Sequence, residues 1–162
     1  MLCARFFIKI TLGMKEEEDM QETTEAVRNV KLVRTDMEGC EFRILRRPAS
    51  GTQGYVKYST GFAEDFKGQD EQGSPAQMFQ LVDAELKAFE GQEQGLADAE
   101  PLLVAQVKLI LCFDVRSAGL SAEALRSFAW FFQGQAALLA QQRLAAMIAA
   151  SPFRGMQLPF GV

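Results

Sequence analysis

Apolar and polar residues alternate at every second position through much of residues 55–116, and after Gly119 the spacing changes to three and four. The first period is that of a half-buried strand, the second that of a helix with one covered stripe. The clearest strand is residues 102–116. Leu103, Ala105, Val107, Leu109, Leu111, Phe113 and Val115 share one face, while Gln106, Lys108, Asp114 and Arg116 share the other with Val104, Ile110 and Cys112. Such a strand has one face wholly buried and the middle of its second face also apolar. Three extended segments precede it. The first runs through residues 30–35, turns at Glu38-Gly39 and continues in 41–45. The second, 55–66, sets Val56, Tyr58, Thr60 and Phe62 on one face. The third, 78–90, points Val82, Ala84, Leu86 and Ala88 one way and Asp83, Glu85 and Lys87 the other. Phe79 and Leu81 are out of that register, which predicts a bulge near Leu81-Val82. The stretches 46–54 and 68–75 carry the glycines and prolines of loops.

Helical spacing fills the C-terminal third. Ser121 can cap a helix starting at Ala122, with Glu123 in its first turn where the helix dipole favours an acid. Leu125, Phe128, Ala129 and Phe132 form one stripe, and Trp130 and Phe131 lie off it. A helix apolar nearly all round must be covered nearly all round. Gly134 is the expected break, after which a second helix, 136–150, lines up Ala137, Ala140, Leu144, Met147 and Ile148. Pro152 ends it, and a short apolar tail with Phe153, Met156, Leu158 and Phe160 follows. The predicted architecture is therefore α+β: a four-stranded antiparallel sheet followed by two C-terminal helices. The sheet's half-apolar second face and the aromatic helix expose more apolar surface than one copy can hide. Sheets and helices are thus expected to pack in an oligomer.

Composition narrows the function classes. At 162 residues, 48% apolar and 23% charged, the chain reads as one globular domain. Its longest apolar runs fall far short of the ~18 residues of a membrane span, and its net charge of −4 speaks against nucleic acid as the main partner. Cys3, Cys40 and Cys112 are odd in number and scattered, which fits free thiols in a reducing, cytoplasmic setting. Histidine is absent, which excludes Ser-His-Asp and Cys-His catalysis and HExxH zinc sites. No phosphate-cradling glycine motif occurs, so neither a metal nor another cofactor is expected. A carboxylate enzyme of the hot-dog thioesterase or dehydratase kind, working through Glu64 or Asp65, is one alternative, although that fold places its long helix early. An oligomeric adaptor for one folded partner is another.

Residues 1–29 read as a separate N-terminal segment. Its first 13 residues are apolar but interrupted by Arg5 and Lys9, and Met14 is a candidate start. Residues 15–25 carry six acids against one lysine, the pattern of a solvated, mobile stretch.

Residues 30–162 resemble the SecB protein-export chaperones and their specialised relatives. The features that carry the resemblance are the acid-started helix from Ala122, the break near Gly134, the run Leu138-Leu139-Ala140-Gln141-Gln142-Arg143 with Met147-Ile148, and the tail with Gln157-Leu158-Pro159. The chain departs from the family pattern at Ala140-Gln141-Gln142, where a proline–tyrosine pair is usual, and at Gly134, where proline is common. The resemblance implies an ATP-independent, cofactor-free chaperone, a dimer of dimers with helices between two eight-stranded sheets. Its clients would be unfolded chains or preproteins, and its further partner a translocase motor or a dedicated protein. On that reading Phe153, Met156, Leu158, Phe160 and Trp130 are client-binding, with packing against the protein's own helices as the plain alternative for the tail. Phe128, Phe131, Phe132, Ile110 and Cys112 are the expected oligomer interface. Asp83 and Glu85 are the expected docking face, or simply a solvated one. Export chaperones of the family continue beyond the Leu-Pro tail, whereas this chain stops at Val162, which favours a specialised chaperone over a general export factor.

Overall fold

The computed structural model describes residues 27–48, 53–69, 74–91 and 99–160; the expectations for residues 1–26 lie outside them. Four strands, β1 (Lys31–Ile44), β2 (Gly54–Gln69), β3 (Pro75–Glu90) and β4 (Leu103–Asp114), form one antiparallel sheet in the order β1-β4-β3-β2. A 3-10 turn at Arg116–Ala118 ends on Gly119, whose φ of 61° is left-handed and suits glycine. Helices α1 (Ala122–Ser127) and α2 (Ala129–Ala149) then cover one sheet face. Element types and their order match the sequence expectation.

Three local expectations are corrected. The first strand does not turn at Glu38-Gly39. It runs on as β1, with register shifts at Leu32/Arg34 and Met37/Gly39 that absorb Val33 and Glu38 as bulges. An edge strand tolerates such insertions, because only one neighbour must stay in register. Near Leu81-Val82, by contrast, β3 has no bulge: it pairs without a break against both neighbours from Gln77 to Ala88. Phe79 and Leu81 belong to the outer face, opposite Cys112 and Ile110 of β4. Finally, the helix does not break at Gly134, which lies inside α2. The break is at Phe128, whose φ of −102° and ψ of 18° end α1 and start α2.

The core fills the space between the sheet and the helices. From the sheet come Met78, Val82, Leu86, Leu103, Val107, Leu111 and Phe113; from the helices, Leu125, Phe132, Ala136, Ala140, Leu144 and Ile148. The last five recur every fourth residue, one ridge of a helix. Small Ala136 and Ala140 let α2 sit close on β3 and β4. The Phe132 ring meets Phe113 edge-to-face at 5.0 Å, a geometry that adds about 0.5–1.5 kcal/mol beyond burial. Ser121 caps α1 as expected, its Oγ accepting from the Ala124 N–H at 3.1 Å. Arg126 docks α1 on β2, pairing with Glu64 at 2.8 Å over the Phe66 ring. Val27 is also in the core, so the end of the N-terminal segment is packed.

The outer sheet face was expected to need a second copy as its cover. Lysines of the chain itself shield three of its rings. Lys67 Nζ lies 4.8 Å from the Phe79 ring centre, and Lys57 Nζ lies 5.6 Å and 5.5 Å from the centres of the stacked rings of Tyr55 and Phe89. Long lysine stems shield apolar surface while their ammonium groups stay in water.

Candidate binding groove

Backbone constraints at the end of the sheet where β2 begins and β3 ends shape a groove. Gly54 opens β2 so close to β3 that any Cβ there would collide with the Phe89 carbonyl oxygen. Gly91 closes the other side, its N–H donating to the Gln53 carbonyl at 2.9 Å. The C-terminal tail forms the facing wall. Ser151 Oγ donates to the Ile148 carbonyl at 2.7 Å and accepts from the Phe153 N–H at 3.0 Å, which turns the chain off the helix axis. The Met156 N–H donates to the Phe153 carbonyl at 2.8 Å, and beyond this turn the chain has no regular structure and bends at Pro159-Phe160.

Between these walls lies a cavity of about 720 Å³, lined by Tyr55, Val56, Ala88, Phe89 and Leu102 on the sheet side and Phe153, Met156, Leu158 and Pro159 on the tail side. A second cavity of about 610 Å³ adjoins it, lined by Ile44, Arg47, Pro48, Pro152 and Phe153. Pro48, Pro152 and Phe153 line both, so Phe153 stands at the junction. Glu90, the one charged side chain among the described residues lining the larger cavity, is paired with Arg46 at 3.4 Å. The trough is open, and most of the side chains that line it are apolar.

The predicted site residues divide. Phe153, Met156 and Leu158 line the groove together. Phe160 sits beside it, edge-to-face on Tyr58 with 5.0 Å between ring centres. Burial of Tyr58 raises its phenol above the ordinary pKa of 10.0, and Gln141 offsets part of the rise. Trp130 is not in the groove: it lies near the start of α2, 69% exposed, with its ring 6.0 Å from that of Phe131.

The five expected interface residues lie on opposite sides of the molecule. Phe128 and Phe131 are half-buried on the helix layer. Phe132 is covered completely by the chain's own core and has no surface to offer a partner. Ile110 is half-buried and Cys112 buried on the outer sheet face. Asp83 and Glu85 share that outer face, but Asp83 is held by Lys108 at 3.3 Å and Gln106 at 2.8 Å, and Glu85 by Lys87 at 2.6 Å. Their negative charge is locally balanced. Glu64 and Asp65 do not converge as a carboxylate pair, because adjacent strand residues point to opposite faces and Glu64 is bound to Arg126.

Sequence reasoning put Val56 and Ala88 of the sheet wall on apolar strand faces but missed Tyr55 and Phe89. Tyr55 and Phe89 fall on the parity of Lys57 and Lys87, so alternation assigns them to the solvated side. The signal that could have found them is two aromatics at the rim of consecutive strands, each beside a loop.

No family model matches this sequence, and no curated protein matches it. Among solved structures the chain is similar to the Mycobacterium tuberculosis Rv1957 SecB-like chaperone, solved in complex with a ChAD peptide from the Rv1956 HigA1 antitoxin. The TM-score is 0.62 over 88% of this chain and 96% of that one, at 11% identity. With its four antiparallel strands followed by C-terminal helices, the chain has the fold of a SecB-like chaperone.

Proposed function

We propose that this protein is an ATP-independent cytoplasmic chaperone that holds non-native segments of client polypeptides in the groove between its C-terminal tail and the sheet end. The observation that carries this reading is the groove itself, formed on the SecB-like fold by two adjoining cavities that share Phe153. Its walls are aromatic, aliphatic and methionine side chains, surfaces that adapt to many partners. Each client side chain seated there contributes about 1.5–3 kcal/mol on full burial, so several shallow contacts hold a chain without reading its sequence.

Assembly completes the proposal. The 21 residues of α2 carry one charge, Arg143, and expose Trp130 and Leu138. A second copy covering that face would form one of the two interfaces that a dimer of dimers needs. The balanced charges around Asp83 and Glu85 favour a dedicated client over a translocase motor, and the antitoxin peptide held by the similar chaperone supports the same choice. Within that choice an adaptor for a single folded partner is the competing reading.

The test is suppression of aggregation of unrelated chemically unfolded proteins, without nucleotide, by the wild-type chain and by Phe153→Asp. Saturable suppression that the variant loses is expected. Binding of folded proteins only would replace the chaperone with the adaptor.

A further inference from the structure

We infer that the groove selects apolar segments flanked by acidic residues, with Arg47 and Arg154 as the residues that set this preference. The inference rests on the groove reading above and adds the class of client. Arg47 lines the smaller cavity directly, and Arg154 lies between Phe153 and Gly155, both of which border the larger one. Both arginines are exposed, and neither has an ion-pair partner among the described residues. Among the described residues, the other charges near this rim are Arg46 and Glu90, which pair with each other, and Glu100, two residues before the lining residue Leu102. A segment seated at Phe153 therefore has the unengaged Arg47 in the cavity wall beside it and the unengaged Arg154 as the next residue of the tail. An acidic flank gains from both, and a lysine flank is repelled by both. Guanidinium is also the cation best matched to a carboxylate, through paired N–H donors. This local preference runs against the overall net charge of −4, which by itself would steer acidic clients away.

Exposed ion pairs are individually weak, so two of them should tighten binding only about three- to tenfold at low salt. The contribution should vanish near 1 M salt, where the screening length is about 3 Å. The experiment uses the full chain and three fluorescein-labelled peptides with the same Leu- and Phe-rich centre and Asp, Ser or Lys flanks. Anisotropy titrations are expected to rank Asp above Ser above Lys at low salt and to converge at high salt. Arg47→Glu combined with Arg154→Glu should reverse the order of the Asp and Lys peptides, with the Ser peptide of each protein as its own reference. If the Ser peptide binds but the three peptides do not differ, or the Asp preference survives both reversals, the inference is overturned and the groove reading stands. If no peptide binds, both fail together.

Discussion

Trp130 and Phe132 are two residues apart on α2, yet their burial differs so much that substitution should separate folding from assembly. Phe132 is fully buried against Phe113 and Phe131, so Phe132→Ala should cost about 3–5 kcal/mol of the chain's own stability. Trp130 is 69% exposed and Leu138 55% exposed. A fully covered Trp removes up to ~250 Å² from water, so the exposed part of Trp130 leaves on the order of 170 Å² for a partner copy. At ~25 cal/mol per Å² that is about 4 kcal/mol per protomer, with Leu138 adding about 2. Replacing both by Asp removes this gain and sets two charges against an apolar partner, which burial penalises further. Size exclusion with light scattering and a circular-dichroism melt report the two properties separately. The wild type is expected to run as an oligomer, a tetramer on the proposed assembly. Trp130→Asp with Leu138→Asp should run at half the wild-type mass, as a dimer, with its helix and strand signal kept. A wild type that is monomeric at micromolar concentration, or a double variant that keeps the wild-type mass, would refute the reasoning that α2's outward face is an interface.

Two further predictions concern the groove walls. Gly54→Ala must push β2 off the Phe89 carbonyl, and overpacking of this kind costs about 1–3 kcal/mol; the variant should melt lower and bind client more weakly, read by a thermal melt and the aggregation assay. For Tyr58 the sign follows from its raised folded pKa. Above pH 10 the unfolded state releases the phenol proton while the folded state keeps it, so stability present below that pH is lost as pH rises further. Denaturant titrations at pH 9 and 11 should show the drop, and Tyr58→Phe should reduce it.

The strands were legible because β3 and β4 alternate so strictly that their core faces follow from parity. The helix break was not. Phe128 leaves helical geometry with no glycine or proline to mark it, whereas Gly134, the residue that looks like a breaker, sits in α2 with open space where a Cβ would be. A helical glycine costs only about 1 kcal/mol, which the packing on either side outweighs. Phe79 and Leu81 suggested a bulge because period-two reasoning treats an outward apolar residue as an error. Lysine stems from the neighbouring strand remove that objection, as Lys67 over Phe79 shows. Half the groove was legible as well: an apolar tail without helical spacing must pack on something, and Phe153, Met156 and Leu158 do. The wall they face depends on which loops meet at the sheet end, and that is set by long-range pairing which no local pattern records.

The claim that matters most is that clients sit between the tail and the sheet end. It is tested by placing a photo-crosslinking side chain at Gln157, a groove-lining residue, and in a second variant at Glu85 on the outer face. An unfolded client should crosslink at position 157, be displaced there by unlabelled client, and leave position 85 unmodified. Equal labelling at both positions, or labelling at 85 alone, would contradict the account.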